Sequence, residues 1–361
     1  MRVLHVAEYV SGGLATYIKE VISYQITCNE ITEIGLVYSK LKSEELNFPS
    51  RVKEYKYSYF RNPRYFIKAL LSIYRAIKNF NPDIIHVHSS FAGLFVRTIY
   101  FFKKKDVKII YCPHGWSFLI EENYFKKKIY AFVELILSIK TDLIINISNY
   151  ELNGSVRYGI PKNKSVLVYN GINEVKRISK KEVSLDSEDK IKIGFIGRFD
   201  KVKGVDILID IFKNNTFNNL QLYLIGGSVL GDLSISIPQN IKYLGWINNN
   251  EIDSYILQFD AIIIPSRGEG FGLVALEAMK NAVPIIASNR GALPELIEHG
   301  VNGYIFDINN LNELKEILLS LNKQELKRMG LNGYNLFRRK FTSDKMNKLI
   351  LYHYKKLLNK V

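Results

Sequence analysis

A chain of 361 residues, 47% of them hydrophobic, is long enough for two domains of ordinary size and too apolar for a disordered chain. The formal net charge is +15, of which +10 falls in residues 1–172. Two cysteines, Cys28 and Cys112, exclude a disulfide framework and make a cytoplasmic location the expectation. No signal peptide precedes the first strand pattern, and the longest helical apolar stretch, 129–139, is interrupted by Glu134 and too short to span a bilayer.

Strand-like runs at 3–7, 33–38, 84–87, 108–112, 143–147 and 165–168 alternate with helical runs at about 14–26, 64–79, 91–103, 124–139 and 149–157. The pattern opens again with strands at 193–197, 222–225, 241–244, 261–264, 284–287 and 303–306. The expected fold class is α/β, with two doubly wound Rossmann-like domains in series. The N-terminal domain is placed at 1–172, a polar linker at 173–190 and the C-terminal domain at 191–342. Residues 343–361 read as one amphipathic helix.

Taken in chain order, the first candidate is Val10-Ser-Gly-Gly-Leu14 after the first strand. Gly12 and Gly13 either let the backbone approach a phosphate or simply make a tight strand-to-helix turn. No Gly-x-Gly-x-x-Gly pattern accompanies them, which argues against NAD. His86 and His88 alternate on one face of a strand. They could start a metal site, but no further ligand cluster or site-like Asp-x-Asp accompanies them, so no metal is expected and a place near a cleft rim is preferred.

Lysine clusters at 103–105 and 126–128 adjoin Tyr100-Phe-Phe102 and Tyr124-Phe125. Basic and aromatic residues together suit an anionic lipid surface, and solvated charge is the plain alternative. No helix-turn-helix, zinc spacing or RNA-binding motif is present, so no nucleic-acid partner is expected. In Pro113-His114-Gly115-Trp116, His114 ends a strand just before a glycine, a placement that favours function. Trp116 either stacks on a sugar or packs, and Trp246 reads as core or as nucleotide-pocket lining.

The densest signals lie further on. Arg198 follows a strand end at Gly197, with Lys203 one short loop later; a guanidinium and an ammonium so placed can clamp a diphosphate and stabilise it as it leaves. In Pro265-Ser-Arg-Gly-Glu-Gly-Phe-Gly-Leu-Val-Ala-Leu-Glu-Ala-Met279, Glu269 sits in a glycine-rich turn and Glu277 on the helix that follows. The free N–H groups at that helix start suit a phosphate, and carboxylates suit vicinal hydroxyls. A ligand with hydroxyl-rich ends and a phosphate between them, such as a nucleotide-sugar, fits all three parts. Two carboxylates alone would also suit a glycoside hydrolase, but such an enzyme needs no diphosphate clamp.

This ordered set resembles the retaining glycosyltransferases of the GT-B fold, family 4, over essentially the whole chain and most strongly over 191–305. The resembling pieces are Gly197-Arg198, Lys203-Gly204, Glu269 and Glu277 with seven residues between them, Asn170-Gly171-Ile172, Gly245-Trp246 and Gly291-Ala-Leu-Pro-Glu295. The resemblance implies two Rossmann-like domains facing a central cleft, with the last helix crossing back to the first domain. It implies that Arg198 and Lys203 hold the donor diphosphate, that Glu277 meets the ribose and that Glu269 meets the sugar.

It further implies that the Phe271 and Gly272 amides, beside Gly270, contact the sugar and the Leu273 and Val274 amides the phosphate. The Gly12-Gly13 loop faces the donor, and His114 lies near the reacting carbon. The catalytic set is then His114, Glu269, Arg198 and Lys203, with no obligatory cofactor and a nucleotide-sugar as co-substrate. The implied activity is transfer of a hexosyl or N-acetylhexosaminyl unit, most simply from a UDP-sugar. The implied acceptor is a lipid-linked saccharide in O-antigen or capsule synthesis, met at the inner face of an anionic membrane. The rivals are a GT-B nucleotide-sugar 2-epimerase, a phosphorylase-like enzyme with a pyridoxal cofactor, and a non-catalytic sugar-nucleotide-binding assembly protein.

Overall fold

The computed structural model describes residues 1–103, 106–120, 122–176, 178, 183, 185, 189–228 and 237–360. The chain folds as two compact units, one made of Met1–Gly171 together with Ser343–Val361, the other of Ile172–Thr342. Much of the polar stretch read as a linker, and Lys104 and Lys105 of the first basic cluster, lie outside the described residues.

The first unit runs β1 (Arg2–Ala7), α1 (Gly12–Thr27), β2 (Glu33–Ser39), β3 (Val52–Tyr57), α2 (Pro63–Phe80), β4 (Ile84–His88), α3 (Ser90–Phe101) and β5 (Lys108–Cys112). It continues through α4 (Tyr124–Ser138), β6 (Leu143–Asn146), α5 (Asn149–Arg157) and β7 (Ser165–Leu167). The seven strands are all parallel, in the order β3-β2-β1-β4-β5-β6-β7. Helices cover both faces, so inner strands are apolar almost throughout, and β4 is buried at every residue.

The second unit runs β8 (Ile191–Arg198), α6 (Val205–Asn214), β9 (Leu220–Gly227), β10 (Ile241–Gly245), α7 (Ile252–Ile256), β11 (Ala261–Ile264) and α8 (Leu273–Lys280). Then come β12 (Ile285–Ser288), α9 (Leu293–Leu296), β13 (Gly303–Phe306), α10 (Leu311–Ser320) and α11 (Lys323–Lys340). Its six parallel strands take the order β10-β9-β8-β11-β12-β13. The final helix, α12 (Ser343–Leu357), packs on α1 in the first unit. Its buried Met346, Asn347, Ile350 and Tyr354 follow a helical spacing, and Asn347 Nδ2 donates to Glu20 O at 3.2 Å.

Each sheet reverses its strand order once, between β1 and β4 and between β8 and β11. At such a switch the connections leave in opposite directions and open a crevice beyond the carboxyl ends of the strands, where ligands of doubly wound sheets bind.

The structure adds one strand that the sequence reading omits. β3 spells VKEYKY, with Val52 and Tyr57 buried and charged side chains between them. As an edge strand it faces water over much of its length, so it lacks the apolar run that marks its neighbours.

Helix α4 is inverted relative to an ordinary surface helix. Its inward face carries Ala131, Glu134 and Leu137, with Glu134 paired to the buried Arg97 at 2.8 Å. Its outward face carries Phe125, Ile129 and Phe132, each more than half exposed.

Candidate active site

In the second unit the site grows from two loops at the β8/β11 switch. The first leaves β8 at Arg198, whose exposed guanidinium pairs with Asp200 at 3.0 Å. Asp200 Oδ1 then accepts the Lys203 backbone N–H at 2.9 Å, which shapes the turn. The second loop leaves β11 and carries residues 265–272. Arg267 stitches the two together: its N–H donates to Val202 O, and its guanidinium donates to Lys201 O at 2.6 Å and to both Asp206 oxygens at 2.8 Å.

Gly204, at φ 74°, seals the junction; a Cβ there would stand 2.0 Å from Pro265 O. Only glycine tolerates both that backbone and that approach.

The stitching brings Lys203 and Glu269 together, with Nζ 2.6 Å from Oε2 and both side chains largely shielded. A third loop braces Glu269 from behind. The Ala292 N–H donates to Glu269 O at 3.0 Å, and Gly291, at φ 61°, leaves no room there for a Cβ.

Helix α8 starts after Gly272 at φ 100°, with no side-chain cap. The amides of Leu273 and Val274 fall in its first turn, where no intrahelical acceptor exists and the helix dipole favours an anion. Phe271 is buried against Phe341, which anchors the turn, and Glu277 lies buried on the second turn of α8. Arg198, Lys203, Glu269 and the start of α8 thus gather at one switch point.

In the first unit, Gly12 and Gly13 open α1 beyond β1. The Gly12 N–H donates to Glu44 Oε1 at 2.6 Å, so a carboxylate lies at this helix start. Beside it, the buried Glu8 holds Arg61 through two bonds of 2.8 and 2.9 Å, and the guanidinium lies over the rings of Tyr9 and Phe91.

His114 follows β5 at φ 53°, a strained value for a non-glycine residue, and its ring contacts Tyr17 edge-on at 4.4 Å. Its Nε2 is 3.0 Å from His88 Nδ1, and its Nδ1 is 3.7 Å from Cys112 Sγ. Burial pushes the His114 pKa down to about 3, so the ring is neutral.

Several expectations need correction. His86 and His88 do not line a rim; both are fully buried. They are joined by His5 from β1, and the three rings place nitrogens within 4.8 Å of one another, a set the sequence reading missed. His5 and His86 face each other across the β1/β4 ladder, a pairing between residues far apart in sequence. Trp116 packs: it is buried, stacks on Phe118 and donates to Asn146 Oδ1 at 2.9 Å. Trp246 is not core, being 62% exposed beside Gly227.

Gln25 and Tyr354 also belong to the histidine cluster, and no motif in the sequence marks them. Gln25 carried a usable signal, a polar residue in register with Ile18, Val21 and Ile22 on the buried face of α1.

Comparison with known proteins agrees with this architecture. Residues 11–176 match the model of Glycosyltransferase Family 4, and residues 176–336 match that of Glycosyl transferases group 1. An uncharacterized 41.2 kDa protein in the cps region of Klebsiella pneumoniae is 36% identical, over 88% of this chain and 89% of that protein. The O-antigen biosynthesis glycosyltransferase WbnH of Escherichia coli is 29% identical over 63% of this chain and 65% of its own length. The crystal structure of Anabaena HepE in complex with UDP-glucose superposes with a TM-score of 0.78 at 17% identity, covering 100% of both chains. At that identity the likeness speaks for the fold, which is GT-B.

Proposed function

The chain belongs to the group 1, family 4 glycosyltransferases, and on that footing we propose that it moves a sugar, with retention, from a UDP-sugar to a lipid-linked saccharide in O-antigen or capsule synthesis. The observation that carries the reading is the Lys203–Glu269 pair, stitched into place beside the uncapped start of α8. Those groups form a graded surface of cation, amides and carboxylates along one switch point. Lys203 and Arg198 meet the diphosphate, the amides of Leu273 and Val274 take a phosphate oxygen, Glu277 takes the ribose hydroxyls, and Glu269 with the Phe271 and Gly272 amides takes the sugar.

Negative charge grows on the departing diphosphate as the glycosidic bond stretches. Fixed donors at that point stabilise the transition state more than the ground state. The acceptor hydroxyl attacks the same face, and its proton passes to the leaving phosphate oxygen. His114, neutral and bonded to His88, positions and does not serve as the base.

The choice of UDP draws on the likeness to HepE, whose complex holds UDP-glucose. The choice of pathway draws on WbnH, an O-antigen biosynthesis enzyme. The lipid-linked acceptor and an anionic inner-leaflet surface draw support from α4, where Lys126, Lys127 and Lys128 adjoin exposed Phe125, Ile129 and Phe132. Among the described residues no helix is long and apolar enough to cross a membrane.

A thermal-shift panel of UDP-, GDP- and ADP-sugars tests the donor. A UDP-sugar at about a hundred times its Kd adds about 2.7 kcal/mol to the stability of the folded state. Lys203→Ala and Glu269→Ala each cut transfer about a hundredfold or more with the fold intact. Near-normal turnover in both variants, or no shift with any UDP-sugar, defeats the reading.

A further inference from the structure

Four of the six histidines of this chain lie in one cluster in the first unit, His5, His86 and His88 fully buried and His114 half-buried, and three of the four form a line. Gln25 Oε1 is 2.9 Å from His5 Nε2, His5 Nδ1 is 3.0 Å from His88 Nε2, and His88 Nδ1 is 3.0 Å from His114 Nε2. Successive rings are within 16° and 29° of coplanar, so each N–H points in plane at the next lone pair. At the far end Gln25 Nε2 donates to Tyr354 Oη at 3.3 Å, and Tyr354 Oη meets His86 Nδ1 at 2.6 Å.

A metal centre is the competing use of these rings. Two imidazole nitrogens on one tetrahedral ion stand about 3.3 Å apart with their lone pairs aimed at the ion. Here the linked nitrogens are closer and aim at each other.

A neutral imidazole has one donor and one acceptor, so a line of them has a single direction. The Gln25 carbonyl oxygen can only accept, so His5 carries its proton on Nε2. His5 Nδ1 must then accept from His88 Nε2–H, and His88 Nδ1 from His114 Nε2–H. His114 Nδ1 is left as a lone pair, with the weak S–H donor of Cys112 nearby. The line is no conduit for protons, because its inner end at Gln25 and Tyr354 is sealed from solvent and an amide takes up no proton.

We propose that Gln25, His5 and His88 are positioning residues of the transfer reaction: a one-way hydrogen-bonded line that fixes the tautomer of His114 and keeps its Nδ1 free to accept a hydroxyl of the donor sugar. The inference rests on the reading of His114 as part of the active site. It also accounts for the strained His114 backbone, which the bond to His88 holds from within.

The test is the 15N spectrum of the full-length protein labelled at histidine, at neutral pH, with each signal assigned by single substitution. His5, His88 and His114 are expected as Nε2–H tautomers with no imidazolium. Gln25→Leu removes the acceptor that sets the direction. His114 then shows a mixture of tautomers, and kcat falls about three- to tenfold, the worth of one neutral hydrogen bond, while KM for the donor stays within about twofold.

A wild-type His114 protonated on Nδ1, a tautomer unmoved by Gln25→Leu, or stoichiometric metal bound through His5 in the purified protein overturns the proposal. Failure of the underlying reading looks different, because His114→Ala would then leave transfer intact while the wild-type spectrum still showed the line.

Discussion

Lowering the pH should weaken the first unit well before its carboxylates titrate. Burial holds His5 down to about 4, against a weaker opposing pull from its bond to Gln25, and burial holds His114 down to about 3. His86 and His88 are shifted the same way by the same cause. An unfolded histidine titrates near 6.5, so from there down to about 4 the unfolded chain binds protons that the folded unit refuses. Stability therefore falls as the pH falls through that window.

Between about pH 7.5 and pH 5.5 each such histidine costs about 1.4 kcal/mol, which makes about 3 kcal/mol for His5 and His114 together. At an urea slope of about 1–3 kcal/mol per M, the unfolding midpoint should drop by about 1 M or more. The two tryptophans make the assay local, since Trp116 is buried in the first unit and Trp246 belongs to the second. Urea titration of a Trp246→Phe protein reads Trp116 emission alone. A midpoint that is the same at both pH values would refute the account of neutral, buried imidazoles, and His5→Asn should shrink the pH effect by about one histidine's share.

Three further outcomes follow from particular contacts. Gly204→Ala combines a left-handed backbone with a 2.0 Å clash on Pro265 O, so it should destabilise by about 3 kcal/mol or more and abolish the donor-induced thermal shift; a silent substitution would deny that the two loops are stitched. Arg97→Met strands the buried Glu134 and should cost about 3–5 kcal/mol by Trp116-detected urea unfolding, with Arg97→Met/Glu134→Leu recovering most of it. Flotation with anionic vesicles should carry the wild type, and Phe125→Ser/Ile129→Ser/Phe132→Ser should stay at the bottom of the gradient; no flotation of the wild type would sink the membrane reading.

What the sequence reveals of this molecule follows the range of the interactions. Strands such as β11, fully apolar, and the Gly197–Gly204 and Gly268–Leu273 loops announce themselves locally, since their chemistry sits within a few residues. The edge strand β3 does not, because two of its six residues are exposed and two more only half-buried. The histidine line is spread over β1, α1, β4, the loop after β5 and α12, and only the parallel pairing of β1 with β4 makes neighbours of His5 and His86. The core alternative for Trp246 fails for a related reason: its place just after β10 says nothing of whether anything covers it.

The return of α12 has a consequence for biosynthesis. The first unit is interrupted in sequence by the whole of the second, and Tyr354 is made only after that second unit. A ribosome that has finished β7 has produced all seven strands of the first sheet, yet Gln25 and His86 still lack the hydroxyl they share. The first unit therefore completes its interior only after the second has been translated, and a chain stopped between Thr342 and Tyr354 would carry a defect inside the part translated first.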